Sequence, residues 1–424
     1  MADRAAHDAA GGLQRALALW RSQAQRCGPR RLLEPGRAGQ GTDDAEAAAF
    51  DSAPGIGFNT DAVAAGIVPL PGKRTGNGSV LSLDPAENNT YRALNLAWQS
   101  GGAVQFAPAV LEGGKVTAPA RYLISNVPEA TQTKWVETLA LRAQATNATG
   151  QAVAAPRIAV YHPYSPSMDE GWCRWVLDQY GFKYSEVTNA NVLAGNLRER
   201  FDVLLLADER MRTLQEGFTE GTVPPQYAGG LGDAGAREIE TFVREGGTLV
   251  CLNHSSDYAI EALHLPVRNV TNGLQRRDFF MAGSVLAVEV DSAHPVLAGM
   301  PAQAKVFGDS SPVFTTSAGF EGSVLAKYQK AGSPLLSGYL LGEKYVQGYA
   351  AALDVRYGSG HAVLLGFRPQ WRGQPFGTFR VLFNALLYSG EVAAKSKGTP
   401  VFWSPPAATE RPAAERPAPR NSGQ

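Results

Sequence analysis

Three short runs constrain this chain most: RIAVY (157–161), DVLLLA (202–207) and TLVCL (248–252). The second is apolar almost throughout, as a strand covered on both faces should be. Between the runs lie stretches with helical spacing. Over 169–180, Trp172, Trp175, Val176 and Gln179 fall on adjoining turns. A second helix is expected over 233–245, with Asp233 as its N-cap and Gly246–Gly247 ending it. A further strand is expected over 183–187 and a short helix from Ser255. Strands alternating with helices at this spacing predict an α/β fold with a doubly wound, mostly parallel sheet.

Beyond about residue 284 the pattern changes. Strand-like runs recur at 285–290, 323–326, 345–354 and 361–367, and an amphipathic helix over 377–388 closes the region. These read as antiparallel strands appended to the sheet, giving one domain over 151–390. Ahead of it, residues 76–150 predict a small α/β subdomain. Its elements are a run at 79–83, a helix over 88–99 with Leu94 and Trp98 on one face, the strand AVQFA (103–107), and a helix near 129–143 carrying Trp135, Leu139 and Leu141. Residues 1–75 read as a poorly structured segment with at most a short helix over 13–25. Residues 391–424 read as a Pro/Ala-rich tail too polar to bury a core.

Composition narrows the function classes. Lys plus Arg and Asp plus Glu both number 39, so the formal charge is zero. That balance argues against a nucleic-acid or anionic-membrane binder acting through bulk electrostatics. No apolar run approaches the roughly 18 residues of a membrane-spanning helix. The first twenty residues do not read as a secretory signal, and the compartment stays open. Three cysteines, Cys27, Cys173 and Cys251, match neither a disulfide framework nor a zinc knuckle.

In an open α/β sheet, ligands sit beyond the carboxyl ends of the strands. Here those ends present His162 and Tyr164, then Asp208, then Cys251, Asn253, His254 and Ser255. Asp169 and Glu170 fall at a helix N-terminus, where capping and dipole complementarity are the ordinary roles of such carboxylates. Cys251 is the candidate nucleophile, although it lacks the small flanking residues that a strained strand-to-helix elbow needs. A buried, inert thiol is the competing reading. His254-x-x-Asp257 with His361 gives a zinc-like spacing, but His361 opens the apolar run HAVLLGF, and no metal site is expected. There is no Walker loop and no Gly-x-Gly-x-x-Gly after a strand. The loop YAGGLGDAG (227–235) carries Tyr227, and FRPQWRGQPFGTF (367–379) carries Arg368, Trp371 and Arg372, which together could clamp a carboxylate or a neighbouring domain. The candidate ligand-binding set is therefore Tyr164, Asp169, Glu170, Asp208, Tyr227, His254, Arg368 and Arg372.

The series YHPYSPSMDEGWCRWVLDQYGFKY, FDVLLLAD, PPQYAGGLGDAG, FVREGGTLVCL, HPVLAGMP and GHAVLLGFRPQWRGQPFGTFRVLFNALLY carries a resemblance over about residues 80–390. It is similar to the C-terminal part of large bacterial proteins of the zinc carboxypeptidase (carboxypeptidase A-like) family. In these a class I glutamine amidotransferase-like, flavodoxin-like domain follows the peptidase domain. The resemblance implies export and a zinc-bearing peptidase domain as partner. This chain departs from the family at the chemistry. No His-x-x-Glu occurs in it, the elbow glycines are absent, and His361 is followed by Ala362 and Val363 rather than by His-x-Glu. The resemblance thus implies a non-catalytic accessory region, with the peptidase half encoded upstream of Met1 and no cofactor in this chain. The alternatives are a hydrolase or amidotransferase-like enzyme using Cys251, and a sugar- or peptide-binding module.

Overall fold

A computed structural model describes residues 71–395, 399 and 402–406, all within one compact unit. The expected helix over 13–25 and Cys27 lie outside these residues.

The first layer is a six-stranded sheet. In chain order it contains β1 (Lys73–Gly76), β2 (Val80–Leu83), helix α1 (Asn89–Gln99) and β3 (Ala103–Ala107). The hairpin β4 (Val110–Glu112) and β5 (Lys115–Ala118) stands apart. Then follow β6 (Arg121–Ser125), α2 (Glu129–Thr138), β7 (Arg142–Thr146) and β8 (Gln151–Val153). The strand order is β1-β7-β2-β6-β3-β8, antiparallel except for β1 against β7. Two expectations change here. Residues 73–75, assigned to a poorly structured segment, form most of an edge strand. The helix expected to reach 143 stops at Thr138, because Ala140 takes φ 53° and turns the chain, so Arg142 onward pairs as β7. Leu141 is apolar and buried in either case, so periodicity alone could not separate the two outcomes.

The second sheet begins with β9 (Ile158–Tyr161), α3 (Met168–Gln179), β10 (Tyr184–Val187), α4 (Asn189–Leu193), α5 (Leu197–Arg200), β11 (Val203–Leu206), α6 (Met211–Gln215), α7 (Gly232–Arg244), β12 (Thr248–Leu252) and α8 (Ser255–Ala262). Strands β13 (Val267–Asn269), β14 (Phe280–Val290), β15 (Gln303–Gly308), β16 (Phe314–Thr316), β17 (Gly322–Lys327), β18 (Leu335–Leu341), β19 (Ala350–Tyr357) and β20 (Gly360–Leu365) follow, then α9 (Phe379–Leu387) and α10 (Gly390–Ala394). The main path runs β10-β9-β11-β12-β20-β19-β17-β14-β15. The first five strands are mutually parallel and the rest antiparallel.

This is an α/β doubly wound sheet with mixed strand order, and alternation along its central strands shows why the runs are apolar. Ile158, Val160, Val203, Leu205, Val250, Leu252, Val363 and Leu365 pack into one core with α3 and α9. Ala159, Tyr161, Leu204, Leu206, Leu249, Cys251, Ala362 and Leu364 pack into the opposite core with α7 and α8. Each face buries its own set, so a polar side chain along these strands needs an internal partner, as Thr248 has in the Tyr388 carbonyl and His361 in Asp354.

The two sheets share a core instead of standing as separate domains. Tyr91 of α1 meets Phe383 of α9 at a ring separation of 4.9 Å. The hydroxyls of Tyr91 and Tyr122 both donate to Asn384 Oδ1, at 2.6 and 2.9 Å. The C-terminal expectation changes too. Residues 390–394 are helical, and Thr399 gives Asp291 two hydrogen bonds, from its N–H (2.7 Å) and its Oγ1 (2.6 Å). Trp403 Nε1 donates to the Gly348 carbonyl at 2.8 Å, and Lys327 Nζ to that of Phe402 at 2.8 Å. The strand expected from 345 starts only at Ala350, because 343–345 form a 3-10 turn and Gly348 takes φ 75°.

Candidate functional site

Helix α3 begins at the carboxyl end of β9, and the Ser167 side chain caps it by accepting from Glu170 N–H. That places Asp169 and Glu170 in its first turn, where the helix dipole favours anions. Strand β11 delivers Asp208, the β12–α8 junction delivers Asn253 and His254, and the chain after β20 delivers Arg368. In the strand order β10-β9-β11-β12-β20, the connections diverge between β9 and β11, which makes this edge the switch point of the sheet.

The polar groups here close onto one another. Asp208 Oδ1 accepts from both the backbone N–H (3.0 Å) and the ring Nδ1 (2.9 Å) of His254. Its Oδ2 pairs with Arg368 Nη2 at 2.6 Å. The same guanidinium donates through Nη1 to Asp169 Oδ2 at 3.1 Å. One arginine therefore joins two buried carboxylates, and the two differ. Burial opposes the charge on Asp208, but His254 and Arg368 together outweigh it and hold the carboxyl below its usual range. Burial pushes Asp169 up to about 6; Arg368 offsets part of that, while Asp208, Glu209 and Asp309 push it further. Burial lowers His254, yet the Asp208 carboxylate more than compensates and raises it.

The strand-to-helix elbow is occupied by Asn253. It alone at this junction takes the left-handed region (φ 51°), and its N–H donates to the Leu365 carbonyl at 2.8 Å. Its amide nitrogen lies 3.0 Å from His254 Nδ1. Ser255 Oγ donates to the Ala207 carbonyl and accepts from Glu209 N–H at 3.1 Å, so this hydroxyl tethers β11 to α8.

Of the candidate residues, Asp169, Asp208, His254 and Arg368 form this network. Glu170 belongs to a neighbouring set, with Arg174 Nε at 2.6 Å and His162 Nδ1 at 3.3 Å. Tyr164 and Tyr227 meet edge-to-face at 5.2 Å. Arg372 stacks over Trp371 at 4.9 Å, near Arg368, which lies over the same ring at 4.6 Å. Cys251 sits apart. It lies inside β12, fully buried against α7 and α8, where burial pushes the thiol well up, and two residues before the elbow. The zinc-like spacing does not converge either. His254 faces Asp208, Asp257 accepts from Asn269 at 2.9 Å, and His361 pairs with Asp354. Among the described residues no group of three His, Cys, Asp or Glu side chains is placed to hold a metal ion. Asp233, expected to cap α7, lies inside its first turn and accepts from Gln215 Nε2 at 3.1 Å.

One polar cluster went unread in the sequence. Asp354 accepts from His361 Nδ1 (2.8 Å), His294 Nε2 (3.3 Å) and the Tyr388 hydroxyl (2.8 Å), all buried. Its signal was a polar residue standing inside each of two apolar runs, at Asp354 and His361.

No protein-family model matches the sequence, and no curated protein matches it. Solved structures do. A cytoplasmic protein from Salmonella typhimurium is 15% identical, with 55% of this chain and 98% of that one covered and a TM-score of 0.35. A protein from Thermoplasma acidophilum, named for a GMP synthase subunit, is 10% identical over 55% of this chain and 94% of that one, at 0.36. A β-galactosidase from Bacillus circulans is 12% identical over 56% of this chain, which spans 31% of the enzyme, at 0.33. These likenesses name no family, and the fold class stands on strand order and helix placement. Among the described residues no helix is long and apolar enough to cross a membrane.

Proposed function

We infer that this chain is a non-catalytic binding module on an amidotransferase-like α/β scaffold. It takes a peptide or glycan and, as the sequence resemblance implies, serves a carboxypeptidase-like catalytic domain that carries the zinc. One observation supports this reading above the others: the elbow carries an amide, Asn253, and the donors around it already serve an internal anion. In acyl transfer the nucleophile occupies that strained position, and backbone N–H groups beside it face the developing oxyanion. Here the His254 N–H, its imidazole and the Arg368 guanidinium all converge on Asp208. Those interactions fasten four elements together, and a substrate would have to displace them. The fold alone decides nothing about activity.

The test is turnover by the purified chain on glutamine, activated esters and carboxypeptidase peptides, alongside thermal-shift screening with peptides and glycans. The expected result is no turnover and a saturable rise in melting temperature with one ligand class. Hydrolysis that disappears in Cys251→Ala would overturn the reading in favour of a cysteine-dependent enzyme.

A further inference from the structure

A cleft of about 390 Å³ opens among α6, α7 and the C-terminal end of α8, and shares no residue with the network at Asp208. Small-molecule sites span roughly 300–1,000 Å³. Helical spacing assembles the walls. Asp233, Arg237 and Glu240 stand at i, i+4 and i+7 along one face of α7, and Tyr258 and Glu261 stand a turn apart on α8. Ala236 and Ala262 line the same gap, and their short side chains leave it open.

Opposite charges line this cleft without pairing. Among the described residues, the side chains of Arg237, Glu261 and His264 make no hydrogen bond or ion pair, and Asp233 accepts from Gln215 Nε2 alone, at 3.1 Å. Glu240 differs, since it holds Arg244 Nη1 and the Tyr357 hydroxyl, each at 3.0 Å. Two open carboxylates therefore stand against one guanidinium.

An independent observation comes from the wall itself. Tyr258 is 1% exposed, and its hydroxyl has no hydrogen-bond partner among the described residues. An unpaired buried hydroxyl costs stability, so it calls for a partner from outside the chain. Burial, with Cys251 and Asp233 adding to it, pushes the phenol well up, so it stays neutral and able to donate. His264 closes α8 where glycine ordinarily stands. Its φ is 50°, the Leu265 N–H donates to the Ile260 carbonyl at 3.0 Å, and its own N–H to that of Glu261 at 3.2 Å. An imidazole kept at a strained position on the cleft wall points to use and not to folding.

Most of the lining is planar and polar: carboxylates, a guanidinium, a carboxamide and an imidazole. Such groups accept from, or donate to, two neighbouring hydroxyls at once, whereas an apolar side chain would find little here to bury against. We propose that this cleft binds a sugar unit carrying a free amino group. The ammonium sits between Asp233 and Glu261, and the ring hydroxyls reach Arg237, His264 and Tyr258. This deepens the binding-module reading, and rests on it, by committing it to a glycan.

Isothermal titration calorimetry of the full chain tests this with three trisaccharides of one linkage: β-1,4-linked glucosamine, its N-acetylated form, and cellotriose, which has a hydroxyl in place of the nitrogen. At a pH where the amine is charged, the glucosamine trisaccharide should bind at least about tenfold more tightly than either other sugar. Glu261→Gln should cost about tenfold. Tyr258→Phe should weaken binding while the melting temperature stays or rises, because an unpaired buried hydroxyl is removed. His264→Gly should behave likewise, because glycine suits the positive φ. Glu137→Gln, on α2, removes the same charge far from the cleft and should change nothing. Equal affinity for the three sugars, preference for an uncharged one, unchanged affinity in Glu261→Gln, a matching loss in Glu137→Gln, or no binding at about 1 mM each overturns the proposal. Failure of these sugars beside a melting shift with another ligand sinks this site and leaves the binding-module reading standing. Cysteine-dependent turnover sinks the non-catalytic reading without touching this site.

Discussion

Asp169 offers the sharpest test of the electrostatics at the sheet edge, because two descriptions of it predict opposite signs. Viewed as the partner of Arg368, it should be a stabilising carboxylate. Viewed as a buried acid beside Asp208, Glu209 and Asp309, it should resist ionisation, and its carboxyl stands at about 6 against a usual value near 3.8. The sign follows from linkage. Below about pH 4 the group is protonated folded and unfolded, and contributes nothing differential. Between about pH 4 and 6 the unfolded chain releases the proton while the folded one retains it, so stability falls as pH rises and levels off above 6. A rise from 3.8 to about 6 corresponds to about 3 kcal/mol. Asp169→Asn removes the titration while keeping the shape. The lost contact to Arg368 adds an offset nearly independent of pH, and other groups titrate alike in both proteins. Urea unfolding of parent and variant at several pH values should therefore show the variant gaining about 3 kcal/mol relative to the parent between about pH 4 and 7.5. A difference that is flat across this range, or that favours the parent as pH rises, would refute the argument and make the Arg368 contact dominant.

Three further outcomes are expected. Asp354→Asn should cost about 3–5 kcal/mol in denaturant unfolding, since it strips a buried carboxylate from two imidazoles and a phenol. Burial opposes this charge, but the two histidines hold the carboxyl far below its usual range, so its contribution is present above the usual carboxylate pKa and is lost as pH falls; a cost under about 1 kcal/mol would mean the cluster relaxes freely. Cys173 and Cys251 should resist iodoacetamide in the folded protein and react on unfolding, as read by peptide mass mapping; rapid labelling of native Cys251 would revive it as a nucleophile. Gly373→Ala should lose about 1–2 kcal/mol and shift tryptophan fluorescence, because φ is 65° and the new methyl would meet Trp175; an unchanged melt and spectrum would contradict that packing.

The sheet was legible because its signal is local. A strand buried on both faces must be apolar at successive positions, and DVLLLA and TLVCL say so without reference to the rest of the chain. The candidate site was legible only as a roll of residues at strand ends. Asp208, His254 and Arg368 were named, yet their joining depends on β12 lying between β11 and β20, and no local pattern encodes that order. Cys251 was misleading for a related reason. It stands next to last in a run beside a helix start, but the elbow falls two residues later, and alternation turns the thiol into the α7–α8 core. Strands β15 and β18 escaped notice because the first buries only small or isolated apolar residues, Ala304 and Val306, between exposed Gln303 and Lys305, and the second is an edge strand whose apolar side chains, Leu336, Tyr339 and Leu341, face outward.

By itself the sequence determined that residues 156–260 build a two-faced parallel sheet and that a different β-rich pattern follows. Those are consequences of periodicity and composition, which act over a few residues. Tertiary structure decided that the small N-terminal sheet shares a core with α9, that Asp354 gathers His294, His361 and Tyr388, and that the donors at the β12–α8 elbow are satisfied by Asp208. A charged side chain is buried only with its partner, and at the sheet edge the partners lie 46 to 199 residues apart along the chain, at Asp354 7 to 60. Periodicity can say that a residue points inward; only the strand order says which charge it will meet there.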